Sequence, residues 1–267
     1  MTAQVREGAE ALKHMDIRRS DAVDSLLGSY PRSRPALTDA HARIYAEQYR
    51  INRDGDTVVD GAAQKLEEWM HRRVASLSGG PVLELGAGTL NHLRFESDTE
   101  AYDIVEPFRA LYEGRPESNR VRNFYDGAQD VPGDHRYRRI VSIAVLEHLP
   151  DLPLDLARCA LLLEEDGAFQ AGIPSEGGFL WWTGWRFSTG IGYFLRTGLD
   201  YGVVMRHEHL NDAPAILEVV RHFFGEVKVK RFPTPFHQLS FYAYLEASLP
   251  KRDVAEAYLG KKSGNLK

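Results

Sequence analysis

The pattern of apolar and polar positions divides the chain into regions of different character. Residues 1–35 show no sustained period and carry Arg18-Arg19 and Pro31-Arg32-Ser33-Arg34-Pro35, which reads as a mobile polar arm with one short helix. Over residues 36–80 a helical period sets in. Ala40, Ile44, Gln48 and Ile51 mark a weak face, while Leu66, Trp69, Met70, Val74 and Leu77 recur at three- and four-residue spacing behind Asp60, a suitable N-cap. Short apolar runs then predict strands over 82–85, 101–105, 121–125, 139–145 and 168–173, with helices over 107–112 and 153–163 between them. A helix over 213–224, ended by Gly225, precedes two more strands at 226–232 and 237–246, which can pair antiparallel at an edge. Strands alternating with helices predict an α/β fold with a doubly wound, mainly parallel seven-stranded sheet.

One stretch breaks this rhythm. Between Pro174 and Asn211 the chain carries Phe179, Trp181, Trp182, Trp185, Phe187, Tyr193, Phe194 and Tyr201 among several glycines, too aromatic for a solvated linker. It reads as an insertion, 174–211, inside a domain spanning 81–249, with a C-terminal tail over 250–267.

Composition narrows the setting. The 267 residues are 43% hydrophobic, enough for a core without staples, and the lone Cys159 sits in an apolar run, so no disulfide framework forms within one chain. The first residues lack the apolar stretch of a secretory signal, and no long uncharged apolar run follows, which predicts a soluble cytoplasmic protein with no membrane partner. A net charge of −5 gives no drive towards nucleic acid. A small molecule is the expected partner; oligomeric state is not legible.

Chemistry concentrates where strands end, the place at which open α/β sheets bind ligands. The first strand empties into Glu84-Leu85-Gly86-Ala87-Gly88, a glycine turn that lets backbone N–H groups and a following helix start approach a ligand. Glu84 would repel a pyrophosphate laid over that turn, whereas a cationic nucleoside fits. Glu106, twenty-two positions on, is spaced to present two acceptor oxygens to a ribose diol, with Pro107 behind it. Asp126 can accept from an adenine amine with Tyr125 or Phe124 against the ring, or simply form a turn with Gly127.

In order, Val82 to Gly88, Glu106, Asp126, Ile140 to Asp151 and Leu163 to Phe169 resemble class I S-adenosylmethionine-dependent methyltransferases, over about a third of the chain. The resemblance implies a Rossmann-like fold and S-adenosyl-L-methionine as cofactor. It carries cofactor contacts to Glu84, Leu85, Gly86, Ala87, Gly88, Asn91, Glu106, Pro107, Tyr125, Asp126 and Ala144, and places His148 at the methyl-transfer site. Leu90 stands where the family often has a third glycine, so Leu90-Asn91-His92 would meet the ligand through side chains. Residues 172–178 and 205–211 look more loosely like bacterial methyltransferases of polysaccharide or secondary-metabolite pathways, which implies a sugar or nucleotide-linked acceptor.

Methyl transfer to oxygen gains from a base. The candidates are His148 and the cluster His207-Glu208-His209, with Glu208 orienting His207 or His209; capping of the next helix by Asn211 or Asp212 is the structural alternative. Trp182, Arg186, Tyr193, Tyr201, Arg206 and Asn211 are the candidate acceptor contacts, and Arg186, Arg196 and Arg206 suit an anionic or sugar-phosphate acceptor. His207 and His209 lack further ligands at a metal-binding spacing, so no metal is expected. Competing readings are methylation of an amine or amino sugar, a non-catalytic S-adenosylmethionine-binding protein, and a dehydrogenase using NAD, the last disfavoured by Glu84 and Leu90.

Overall fold

The computed structural model describes residues 21–53, 61–77, 79–97 and 101–264, and over 48–53 and 61–67 the backbone alone. Asp60 and the side chains of Gln48, Ile51 and Leu66 therefore lie outside it. Helix α1 includes residues 21–28, and α2 (Asp39–Arg53) and α3 (Gly61–Val74) precede the sheet. Seven strands follow: β1 (Val82–Leu85), β2 (Tyr102–Val105), β3 (Asn123–Tyr125), β4 (Tyr137–Ile143), β5 (Leu163–Pro174), β6 (Phe224–Pro233) and β7 (Ser240–Pro250). They form one sheet in the order β3-β2-β1-β4-β5-β7-β6.

The sheet is mixed rather than parallel throughout. β1 to β5 pair in parallel, but β7 inserts antiparallel between β5 and β6. A short proline-containing connection turns the chain back from β6 to β7, so the two pair antiparallel as expected, while β7 rather than β6 meets β5. After β3 the chain crosses to the far side of β1 to start β4. That reversal opens a crevice at the carboxyl ends of β1 and β4.

Two hydrophobic layers hold the sheet. On one face α4 (Leu152–Leu162), α8 (Ala213–Phe223) and α9 (Arg252–Gly264) bury Leu156, Ile216, Phe223 and Ala255 against Leu85, Ile140, Phe169 and Leu245. Leu27 and Tyr30 join this core, and Arg32 donates to the Leu210 carbonyl at 2.6 Å, so these three residues tie this part of the chain to the domain. On the other face lie Val74 of α3 and the segment after β1, with Leu90 and Leu93 against Val82, Ile104 and Val141. Helix α8 runs directly into β6 at Phe224, without using Gly225 as a stop.

Two expected helical pieces are shorter than the pattern suggested. Residues 107–112 make only a single tight turn, Arg109–Leu111. No helix follows the glycine turn at all: residues 88–95 fold as successive turns, with Leu90, Leu93 and Phe95 N–H groups donating to the carbonyls of Ala87, Leu90 and His92. What fixes this non-helical segment is a buried ion pair. Arg139 on β4, 2% exposed, meets Glu96 with two bonds of 2.8 Å, and also donates to Gln170 Oε1 and the Val74 carbonyl. Glu96 Oε1 also receives His92 Nε2 at 2.8 Å.

Burial pushes the Glu96 carboxyl up, yet hydrogen bonds from His92 and Arg139 and the Arg139 charge outweigh it and hold it at about 2. The stabilisation is thus present above the ordinary carboxylate range and lost as pH falls towards about 2. Arg139→Met should cost about 3–5 kcal/mol in urea unfolding at neutral pH, because Glu96 is left buried and unpaired. Adding Glu96→Met should return part of that loss, and an R139M variant as stable as its parent would refute the role of the pair.

Candidate active site

The crevice at the strand switch is a cleft of about 750 Å³, within the range that holds a nucleoside-sized ligand. Its floor is the glycine turn. Gly86 has φ +75° and a Cβ there would lie 2.4 Å from Val145, so only glycine lets β1 turn against the end of β4. Gly88, at φ +50°, faces open space, and its N–H donates to Glu106 Oε2 at 2.8 Å. The Phe108 N–H donates to the other oxygen at 2.9 Å. Glu106 is thereby fixed at the cleft with a lone pair left on each oxygen.

Glu84 lies deepest. It is 3% exposed and accepts from the Tyr102 hydroxyl at 2.8 Å. Burial drives its carboxyl up to about 8, against the tyrosine bond and with smaller contributions from Glu96 and Glu106. Asp126 and Asp155 complete four carboxylates on the lining, where Arg34 is the one lysine or arginine and is paired at 3.1 Å with Glu208. The charge balance favours a cationic ligand over a pyrophosphate.

Of the expected cofactor contacts, Glu84, Leu85, Gly86, Ala87, Gly88, Asn91, Glu106, Pro107, Asp126 and Ala144 line this cleft. Tyr125 does not. Its ring packs against the α4-side core, its hydroxyl meets His135 Nδ1 at 3.4 Å, and Phe124 stacks on Tyr112 at 5.1 Å in a separate hollow. Phe108, Leu111 and Ala128 supply the apolar wall beside Asp126 instead. Leu90 is also displaced from its expected role: it takes φ 63° and points into the core, while Asn91 and His92 line the cleft. The left-handed backbone costs a leucine roughly 1–2 kcal/mol, which burial of about 1.5–3 kcal/mol offsets. Ala144 shares the conformation at φ 54° and donates its N–H to the Gly172 carbonyl.

Sequence reasoning missed His71 and Met70, which α3 brings to the cleft. His71 Nδ1 lies 3.1 Å from His92 Nδ1, so it continues the buried chain from Arg139 through Glu96 and His92 to the cleft wall. Burial, then the charges of His92 and Arg94, holds the His71 imidazole down at about 3. The helical period gives α3 an apolar face, and nothing in it distinguishes a histidine facing a ligand.

At the mouth, only His148 of the four expected catalytic residues lines the cleft. Its Nδ1 donates to the Glu208 carbonyl at 2.9 Å, which leaves Nε2 as the free acceptor, 3.9 Å from Glu147 Oε1. Glu147 is 2% exposed, its Oε2 has no hydrogen-bond partner, and burial raises its carboxyl despite the neighbouring His148 and His209. His209 is tied to Glu176 and meets the His148 ring edge-on at 4.8 Å. His207 Nδ1 donates to the Pro35 carbonyl at 2.8 Å, away from the cleft. Glu208 orients His148, with Tyr45 and Arg34 as its own partners, rather than His207 or His209.

The insertion forms α5 (Phe179–Trp185), a wide π turn (Arg186–Gly190), α6 (Ile191–Thr197) and α7 (Tyr201–Glu208). None of the expected acceptor contacts Trp182, Arg186, Tyr193, Tyr201, Arg206 or Asn211 lines the cleft. Tyr193 and Tyr201 pack on each other at 5.2 Å, and Arg186 lies over the exposed Trp182 ring. Asn211 is wholly buried and braces the end of β4 through the Leu146 and Leu149 carbonyls and the Tyr30 hydroxyl; Asp212 is the cap of α8. Among the described residues no cluster of three or more His, Cys, Asp or Glu is arranged to hold a metal.

No protein-family model matches the chain, and no curated protein matches it in sequence. Among solved structures it is similar to an S-adenosylmethionine-dependent methyltransferase, a possible histamine N-methyltransferase, of Thermotoga maritima, with 17% identity over 70% of this chain and 96% of that one and a TM-score of 0.47. An O-methyltransferase family protein of Burkholderia thailandensis is 16% identical over 89% of this chain and 70% of its own, with a TM-score of 0.48. The N-methyltransferase NodS of Bradyrhizobium japonicum, in complex with S-adenosyl-L-homocysteine, is 12% identical over 74% and 91%, with a TM-score of 0.46.

The raised Glu84 carboxyl makes a stability prediction for the free protein. Between the ordinary 4.5 and about 8 the folded chain holds a proton that the unfolded chain has lost, so stability falls with rising pH across that window and levels off above it. Glu84→Gln should remove this fall. Thermal unfolding should show E84Q more stable than its parent at alkaline pH and little changed in acid; parallel profiles would show that Glu84 does not titrate there.

Proposed function

We propose that the chain is an S-adenosylmethionine-dependent methyltransferase acting on a hydroxyl of a small polar acceptor, a sugar or nucleotide-linked metabolite. The observation that carries the reading is the cleft's lining: a glycine turn at the strand switch flanked by four acidic side chains and one already paired guanidinium, with the carboxyls of Glu84 and Asp155 held up to about 8 and about 7 by burial, so that they ionise more readily beside a cation. This lining fits a ligand with an ammonium and a sulfonium. Glu84 and the turn would hold the amino-acid end, the fixed oxygens of Glu106 the ribose diol, and Asp126 with Phe108, Leu111 and Ala128 the adenine.

When bound, the cofactor supplies a methyl carbon made electrophilic by its sulfonium. The protein has to position an acceptor and relieve it of a proton. His148 is built for the second step, since its Nδ1–H is anchored on the Glu208 carbonyl and Nε2 is free to take the hydroxyl proton. Glu147 Oε1 lies 3.9 Å from that Nε2, and His209 restricts the ring from the side. A second reading has a specific observation in its favour. Glu147, Glu176 and Glu208 surround His148 and His209, and no arginine of the insertion lines the cleft, which suits an amine better than the anionic acceptor that those arginines suggested.

Isothermal titration with S-adenosylhomocysteine and, separately, NADH tests the cofactor. The homocysteine compound should bind and NADH should not; the reverse would overturn the proposal. Glu84→Gln should weaken binding roughly ten- to a hundredfold, the loss of one charge-assisted hydrogen bond. For the parent, affinity should rise with pH up to about 8, as the Glu84 carboxylate becomes available to the cation. His148→Ala should leave that affinity unchanged and lower turnover of a hydroxyl acceptor by about 10²-fold or more. Undiminished turnover would remove His148 from the base role, and a pH profile without a basic limb would favour the amine.

A further inference from the structure

The outer side of the insertion is the least expected surface of the molecule. Phe179 (59% exposed), Trp182 (45%), Phe187 (68%), Ile191 (46%), Phe194 (57%) and Leu195 (78%) all face solvent. From Phe179 to Phe194 their spacings of three, five, four and three make one stripe, because the π turn over Arg186–Gly190 accommodates the five-residue step between Trp182 and Phe187. Its inner side packs separately: Trp181 lies edge-on against Tyr242, and Trp185 and Tyr193 both pack on Tyr201. The exposed stripe is therefore not the back of an incomplete core. Phe236 (67%) and Leu239 (48%), from the β6–β7 connection, extend the patch where Gln238 receives the Phe179 N–H.

Charge indicates what covers it. From Gly177 to Leu199 the chain has no acidic residue, and its charges are Arg186 and Arg196, both exposed. That local sign is opposite to the net −5 of the chain. A second copy could lay its own stripe against this one, but it would bring Arg186 and Arg196 together with their own counterparts and no acidic residue from this segment to pair them, whereas an anionic bilayer offers both an apolar layer and phosphate at its rim. Aromatic and aliphatic side chains on one face of a helix, flanked by arginine, are the composition of a helix lying in a membrane interface. Among the described residues no helix is long and apolar enough to cross a membrane, so contact would be with one leaflet. We infer that the α5–α6 segment docks this protein on anionic phospholipid surfaces, with Phe187, Ile191, Phe194 and Leu195 inserted and Arg186 and Arg196 at the headgroups.

This inference is independent of the methyl-transfer reading, since it needs neither cofactor nor acceptor. Co-sedimentation of the full chain with vesicles of phosphatidylcholine, with and without phosphatidylglycerol, tests it. The protein should pellet with the phosphatidylglycerol vesicles, less with phosphatidylcholine alone, and less again as salt is raised. The triple variant F187S/F194S/L195S should lose about tenfold or more in partitioning. Because these side chains are exposed, thermal unfolding of that variant should match the parent. Arg196→Gln should weaken binding to the anionic vesicles alone. Failure of the parent to pellet with either vesicle would overturn the inference, as would equal partitioning of the triple variant. So would light scattering that shows a dimer dispersed by the triple substitution without vesicle binding by the parent.

Discussion

The Arg139–Glu96 pair is the constraint on which the cleft depends. In a doubly wound sheet the helix after the first strand normally closes one face and ends the glycine turn. Here residues 88–95 are turns, whose backbone bonds are few and short in range. An isolated segment of that kind would fluctuate, because little apolar surface offsets the entropy of fixing it. Two features fasten it: Leu90 and Leu93 in the second core layer, and Glu96 held by a β4 guanidinium that is itself saturated by Gln170 and the end of α3. Removing the second would strand a charge in a dry interior, so the ion pair specifies where the turn segment sits even if its net contribution to stability is small.

The same pair reaches the ligand-facing wall. Glu96 holds His92, His92 meets His71, and His71 lines the cleft from α3. Glu84 stands on the neighbouring strand, raised by burial and by the charges of Glu96 and Glu106. The Glu96 charge is thus compensated by Arg139, while burial keeps a proton on Glu84 up to about 8. A cation arriving at Glu84 could take that proton's place, whereas a pyrophosphate could not, a physical reason for positive charge to be favoured there over a pyrophosphate.

The sheet was legible because its signals are local. Runs such as Val82 to Leu85 are apolar on both sides, as strands covered on both faces must be, and the strand-end acids Glu84, Glu106 and Asp126 announce the cleft by position alone. What escaped was non-local. Nothing in Tyr125 tells which side of a three-residue strand end its ring will take, and Leu90 shows a positive φ only because a core awaits its side chain. Nothing in the sequence marks Arg139 as buried, since that depends on its β4 position opposite Glu96 and the end of α3. The aromatic insertion was recognisable by composition, but composition does not say which side faces inward. Its arginines face away from the cleft, and the residue that orients His148 proved to be Glu208.

The setting of His148 is assembled from parts distant in sequence, and this makes that end of the cleft conditional on the N-terminal segment. The Glu208 carbonyl fixes the ring, but Glu208 is held in turn by Tyr45 of α2 and by Arg34, which itself lines the cleft. Arg32 and Tyr30 bind the following residues, Leu210 and Asn211, and Asn211 braces the carbonyls that flank His148. Loosening residues 30–45 would therefore release α7 and free the imidazole together, while Glu84, the glycine turn and Glu106, anchored on β1 and β2, would keep their places. The cleft accordingly has a rigid end built into the sheet and an end whose geometry rests on the docking of one N-terminal strap, a division suited to holding one ligand firmly while a second enters and leaves.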